Sequence, residues 1–105
     1  MIKVIRQSVL STEDVQVDVE ADGGSYDPTA DAVAFAFMVA GDPGSGDWHA
    51  GGWGTPLEPG VYPAQCLVGP GAGGVPLALN TYAIWVRIVD NPEIPVRKAG
   101  LLVIE

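Results

Sequence analysis

The chain has one cysteine, one histidine and, from position 7 to position 86, neither lysine nor arginine. A single cysteine, Cys66, excludes an internal disulfide and reads as a small buried hydrophobe in a strand. With His49 as the one imidazole, the roughly four ligands of a structural zinc site cannot be assembled. The five basic residues are Lys3, Arg6, Arg87, Arg97 and Lys98. They are too few and too scattered along the chain to track a phosphate backbone, so no nucleic acid is expected as a partner. An anionic membrane surface repels such an acidic chain for the same reason. No run of about 18 apolar residues exists to cross a bilayer. Met1 to Arg6 lacks the apolar core and cleavage site of a signal peptide, so synthesis in a cytosol is expected.

Catalytic signatures are missing as well. Ser8, Ser11, Ser25 and Ser45 have no GxSxG setting, and the glycines of 69–74 lack the lysine of a P-loop. Asp18, Glu20 and Asp22-Gly23 begin like a calcium loop. The twelfth position, where a bidentate glutamate belongs, is Thr29, and the acids sit on a strand. Asp47 and His49 are close enough to share a metal, but a solvated loop pair explains them better. The expectation is a protein without catalysis, cofactor or metal.

What is present is an apolar, turn-rich chain: 105 residues, 48% hydrophobic, with 14 glycines and 9 prolines between the apolar runs. This is one domain, 1–105, able to bury about two thirds of its unfolded surface. The 13 acids give a net charge of -8, which favours solubility through self-repulsion.

The apolar runs alternate with period 2, the signature of strands with one buried face. The densest part, Leu79 to Glu105, predicts a central hairpin. Tyr82, Ile84, Val86 and Ile88 alternate with Ala83, Trp85, Arg87 and Val89, and Asp90-Asn91-Pro92-Glu93 supplies turn residues. The chain stops just beyond its last strand, which suggests a stand-alone part. Upstream, Val15, Val17 and Val19 alternate with Asp14, Gln16, Asp18 and Glu20, giving one apolar and one acidic face. Ala32 to Val39 puts Val33, Phe35, Phe37 and Val39 opposite small apolar residues, a strand covered on both sides. Further strands are expected over Ile2 to Leu10 and over Ala64 to Val68. Tyr62 and Tyr82 each follow a leucine by five positions and enter strands, the placement from which a tyrosine hydroxyl bonds back to its corner. The sum is an all-β, immunoglobulin-like β-sandwich of about seven antiparallel strands, without the cysteine pair of antibody domains. Its expected core is Val15, Val17, Val19, Phe35, Phe37, Ile84, Val86 and Ile88.

Aromatics are the remaining candidates for contact with a partner. Trp48 and Trp53 flank a Gly-Gly in the segment Asp47 to Gly54, and either plug the core or anchor a partner or glycan. Trp85 lies on the Arg87 face of its strand, at a spacing that permits a cation–π contact.

The segments YDPTADAVAFAF, DWHAGGW, CLVGPGAGG and YAIWVRIVDNPEIPVRKAGLLVIE together resemble small Ig-like structural proteins of tailed bacteriophages and prophages. More distantly they resemble the N-terminal domains of phage baseplate upper proteins. The resemblance covers most of the chain from Val15 on and carries no catalytic residues. It implies a virion structural protein made in the host cytoplasm, with phage structural proteins as partners: a capsid decoration or minor capsid protein, or else a head–tail connector or tail component. The residues expected at a partner contact are Trp48, Trp53, Arg87, Arg97 and Lys98. If the first strand and the final hairpin are neighbours, the basic residues form a small basic end on an acidic body.

Overall fold

Each period-2 run forms a strand, because alternation lets one side bury apolar groups while the backbone pairs laterally. The computed structural model describes residues 3–20, 28–56, 58–89 and 94–105. Its strands are β1 (Lys3–Gln7), β2 (Glu13–Glu20), β3 (Ala32–Met38), β4 (His49–Ala50), β5 (Gly52–Trp53), β6 (Val61–Val68), β7 (Asn80–Val89) and β8 (Val96–Ile104). One 3-10 turn, Pro28–Ala30, precedes β3. The turn residues 90–93 and the first half of the Tyr26–Thr29 segment lie outside the described residues, as do Asp22 and Gly23 of the calcium-like stretch.

Two sheets face each other. The first has the order β1-β8-β7-β3-β4 and the second β2-β6-β5. In immunoglobulin lettering the second sheet is B-E-D, and β8-β7-β3 of the first is G-F-C with β4 as C′. Tyr82 stands near the start of the F strand, and its hydroxyl donates to the Ala78 carbonyl at 2.8 Å. That is the tyrosine corner of such sandwiches. Two residues on, where antibody domains carry a cysteine, stands Ile84, fully buried.

Three details depart from expectation. β1 pairs in parallel with β8, Lys3 opposite Gly100 through Gln7 opposite Ile104; the remaining pairs of strands are antiparallel. Parallel pairing is possible there because β2, the next strand after β1, belongs to the other sheet. The Asp47 to Gly54 segment contributes two short strands, which raises the strand count to eight among the described residues. Between them Gly51 carries the chain from one sheet to the other. A Cβ there would meet the Gln65 carbonyl oxygen at 2.8 Å and the Phe35 ring at 2.9 Å, so only glycine fits.

All eight expected core residues project between the sheets. Val15, Val17, Phe35, Phe37, Ile84 and Val86 are buried, and Val19 and Ile88 pack on the cluster partly exposed. Val33, Ala64, Cys66, Val68, Tyr82, Leu102 and Ile104 complete it. Gln7 is the one polar side chain in this interior among the described residues. Its Nε2 donates to the carbonyls of Val68 (2.8 Å) and Ser11 (3.1 Å), fastening β1 to the opposite sheet.

Candidate functional site: an aromatic and basic sheet face

The outer face of the five-stranded sheet is unusual for a strand surface facing water. Register places Ala36 beside Trp85 and Ala34 beside Arg87 on neighbouring strands. Ala34 and Ala36 point away from the core, yet Ala36 is fully buried and Ala34 nearly so. The explanation is a bridge across β3. The Arg87 guanidinium carbon lies 4.6 Å from the centre of the Trp48 ring, and Trp48 immediately precedes β4, two strands away. Strands are about 4.8 Å apart, so the arginine must cross over β3 to reach it. Only residues as small as alanine leave room beneath. The cation–π contact expected between Arg87 and Trp85 is therefore made to Trp48 instead, which the sheet order brings within reach.

Lys98 joins this face through a β-bulge. Ile84 pairs with Gly100 but Trp85 with Lys98, leaving Ala99 as the extra residue. Simple alternation from Leu101 and Val103 would turn Arg97 outward and Lys98 inward. The bulge reverses this: Lys98 shares the Trp85 face, while Arg97, opposite Val86, takes the inward side. Arg6 pairs with Val103 on the same outer face. Its ion pair with Glu105, at 2.9 Å, is solvent-exposed on both sides and contributes little. The first strand and the final hairpin are thus neighbours, in the order β1-β8-β7. Arg6, Arg87 and Lys98 share one face with Trp48 and Trp85.

That face presents donors in excess of acceptors. Trp85 Nε1 and Arg87 Nε are both buried without a hydrogen-bond partner among the described residues. An unsatisfied buried donor costs about 1–3 kcal/mol, which makes this the least settled polar environment described in the molecule.

Trp53 and Arg97 are placed elsewhere. Trp53, opposite Ala64, packs on the core, and its indole N–H donates to the Asp31 carbonyl at 2.9 Å. Arg97 lines a groove of about 300 Å³ at the open corner between β2 and β8, with Val17, Asp18, Val19, Glu20, Val86, Ile88, Pro95 and Ala99. An inward-turned charge there guards an otherwise open strand edge. Asp47 accepts from the Gly44 N–H at 2.8 Å, and His49 lies beside the Phe37 ring. Cys66 is buried, and burial, with the Asp14 charge adding to it, pushes its thiol up to about 11. It is inert at neutral pH.

The outer face of the three-stranded sheet has the opposite character. Asp14, Gln16, Asp18 and Glu20 project from β2, beside Leu67, Gln65, Pro63 and Val61 of β6. Gln65 Nε2 donates to Gln16 Oε1 at 3.0 Å, and Gln16 Nε2 to Asp18 Oδ1 at 3.2 Å. A cleft of about 80 Å³ opens between Gln16, Asp18, Glu58, Val61 and Pro63. The acidic alternation of β2 was readable from sequence. The joining of Trp48, Trp85, Arg87 and Lys98 depended on sheet order and on one bulge, neither of which leaves a local signal. Comparison with protein-family models, with curated proteins and with solved structures returns no match.

Proposed function

We propose that this protein is a non-enzymatic structural component of a tailed-phage virion, a capsid decoration or minor capsid protein present in many copies. It is made in the host cytoplasm and docks on a repeating protein surface of the shell. The resemblance of the Tyr26–Thr29 and Tyr82–Arg97 segments supplies the virion assignment. The observation that carries the docking reading is the donor-rich face of Trp48, Trp85, Arg87 and Lys98 on a chain of net charge -8. Such a face meets an acidic, partly apolar surface. Aromatic and arginine side chains anchor the contact, and charge complementarity selects the partner. Weak single contacts suffice when a lattice repeats them and neighbouring copies support one another.

The test is to purify particles, quantify this protein in them, and repeat with Arg87→Glu. Capsid-scale copy number, lost in the variant, is the expected result. Absence from particles overturns the virion reading. One ring's worth of copies moves the protein to a head–tail or baseplate ring.

A further inference from the structure

The two outer faces of the sandwich are complementary to each other. Arg87, Lys98 and Arg6 lie on one, and Asp14, Asp18 and Glu20 on the other. We infer that the acidic surface received by the Trp48–Arg87 face is the β2 face of a second copy of this chain, so that copies stack front to back. The inference rests on the docking reading above: the repeating surface that this face meets is the row of the protein's own copies on the shell.

Hydrogen-bonding chemistry supports the match. Arginine and lysine heads donate and do not accept, and Arg87 and Lys98 set two of them on this face. Carboxylates only accept, and β2 presents three of them outward. The cleft beside Asp18 and Glu58, about 80 Å³, has the room of two or three waters and suits one guanidinium or ammonium head. Size is sufficient as well. Overall extents of 39 × 30 × 29 Å give each face an area on the scale of the ~800 Å² per partner that a specific interface needs.

Charge at longer range does not forbid the contact. The net charge of -8 repels a second copy at a distance, but at about 0.15 M salt the Debye length is about 8 Å. Opposed charges in direct contact then outweigh the screened repulsion of the two bodies. Because the faces are different and lie on opposite sides, the contact is heterologous. Each copy added leaves one face of each kind free, so the assembly continues as a chain or closes as a ring, and does not stop at a two-fold dimer. A row of such copies across a shell provides the lateral support that weak docking requires.

Sedimentation velocity on the full chain at about 0.15 M salt tests this. The wild type is expected to form species beyond the dimer as concentration rises, and to revert to monomer near 1 M salt. Lys98→Glu and Arg87→Glu block one face; a double variant, Asp18→Asn with Glu20→Gln, blocks the other. Each alone is expected to weaken association by about tenfold or more. Lys98→Glu is a surface change outside the Arg87–Trp48 contact, so it reports on the interface even if Arg87→Glu perturbs the fold. Mixing Lys98→Glu with the double variant leaves one intact face on each molecule, and the expected product is a 1:1 heterodimer and nothing larger. A wild type that stays monomeric throughout overturns the inference. If Arg87→Glu still removes that monomer from particles, the docking reading stands with a different acidic partner. A closed dimer that the mixture does not restore also overturns front-to-back stacking. If neither self-association nor particle binding responds to Arg87 or Lys98, both readings fall.

Discussion

At the scale of the residue, burial accounts for most of what individual side chains do. Phe35 is fully buried on the central part of β3, with its ring centre 6.2 Å from that of Phe37. Phe35→Ala removes that contact and leaves a cavity that two facing sheets cannot close. A loss of about 3–5 kcal/mol is expected, a large share of the ~5–15 kcal/mol typical of a domain. Urea titration followed by tryptophan fluorescence measures it, and an unchanged midpoint would remove Phe35 from the core. Cys66 makes a pH-dependent contribution. Its thiol holds its proton up to about 11 in the folded chain, against 9.0 ordinarily. Between those values the unfolded chain has lost the proton and the folded chain keeps it. The stabilisation is complete below about pH 9 and falls as pH rises towards 11. The comparison is with Cys66→Ala, which isolates the thiol's contribution. The stability advantage of the wild type is expected to shrink between pH 8 and pH 10.5, and an advantage that stays constant would show the thiol to be accessible to solvent.

At the scale of the element, β1 is a short edge strand of the five-stranded sheet, held by a few specific contacts. It is five residues long, and Val4 is half exposed. It is held by its parallel ladder to β8, by Lys3 Nζ donating to the Gln16 carbonyl at 2.8 Å, and by the two hydrogen bonds of Gln7. Parallel pairing places Lys3 against Gly100, where a Cβ would meet the Lys3 carbonyl oxygen at 2.6 Å, so the glycine admits the close approach. Gln7→Ala leaves the Val68 carbonyl without its side-chain donor in a buried site. The expected cost is about 1–3 kcal/mol. Hydrogen exchange is expected to speed up in β1 before the β3–β7 ladder changes, since local opening follows the weakest packing. Uniform acceleration across both sheets would mean that Gln7 supports the whole core rather than one strand. The bulge at Ala99 belongs to this scale too. One extra residue decides that Lys98, and not Arg97, shares the Trp85 face.

At the scale of the whole molecule, the sandwich separates charge. Three of the acids of β2 line one outer face, and three of the five basic residues line the other. The separation follows from topology, because β1, β7 and β8, which carry all five basic residues, pair side by side. A net charge of -8 would suggest a uniformly acidic body. Faces of opposite character make it an oriented one, and orientation is what a repeating assembly requires of its parts. The predicted loss of self-association in Lys98→Glu belongs here, because it tests the arrangement of charge rather than any single contact.

The sequence alone determined the fold class, the position of the long strands and about half of the core. Period-2 alternation is a local property and survives without knowledge of what each strand pairs with. Val15, Val17, Phe35, Phe37, Ile84 and Val86 were legible for that reason, as was the Tyr82 corner, whose hydroxyl reaches only four residues back. Tertiary structure alone decided the parallel seating of β1, the splitting of Asp47 to Gly54 between two sheets, and the partner of Arg87. Each of these depends on which distant strand lies alongside, a long-range choice set by sheet order. The surface candidates divide along the same line. Trp48, Arg87 and Lys98 come together only because β3 carries alanines between them and β8 bulges at Ala99. Trp53 turns to the core because Gly51 delivers it to the other sheet.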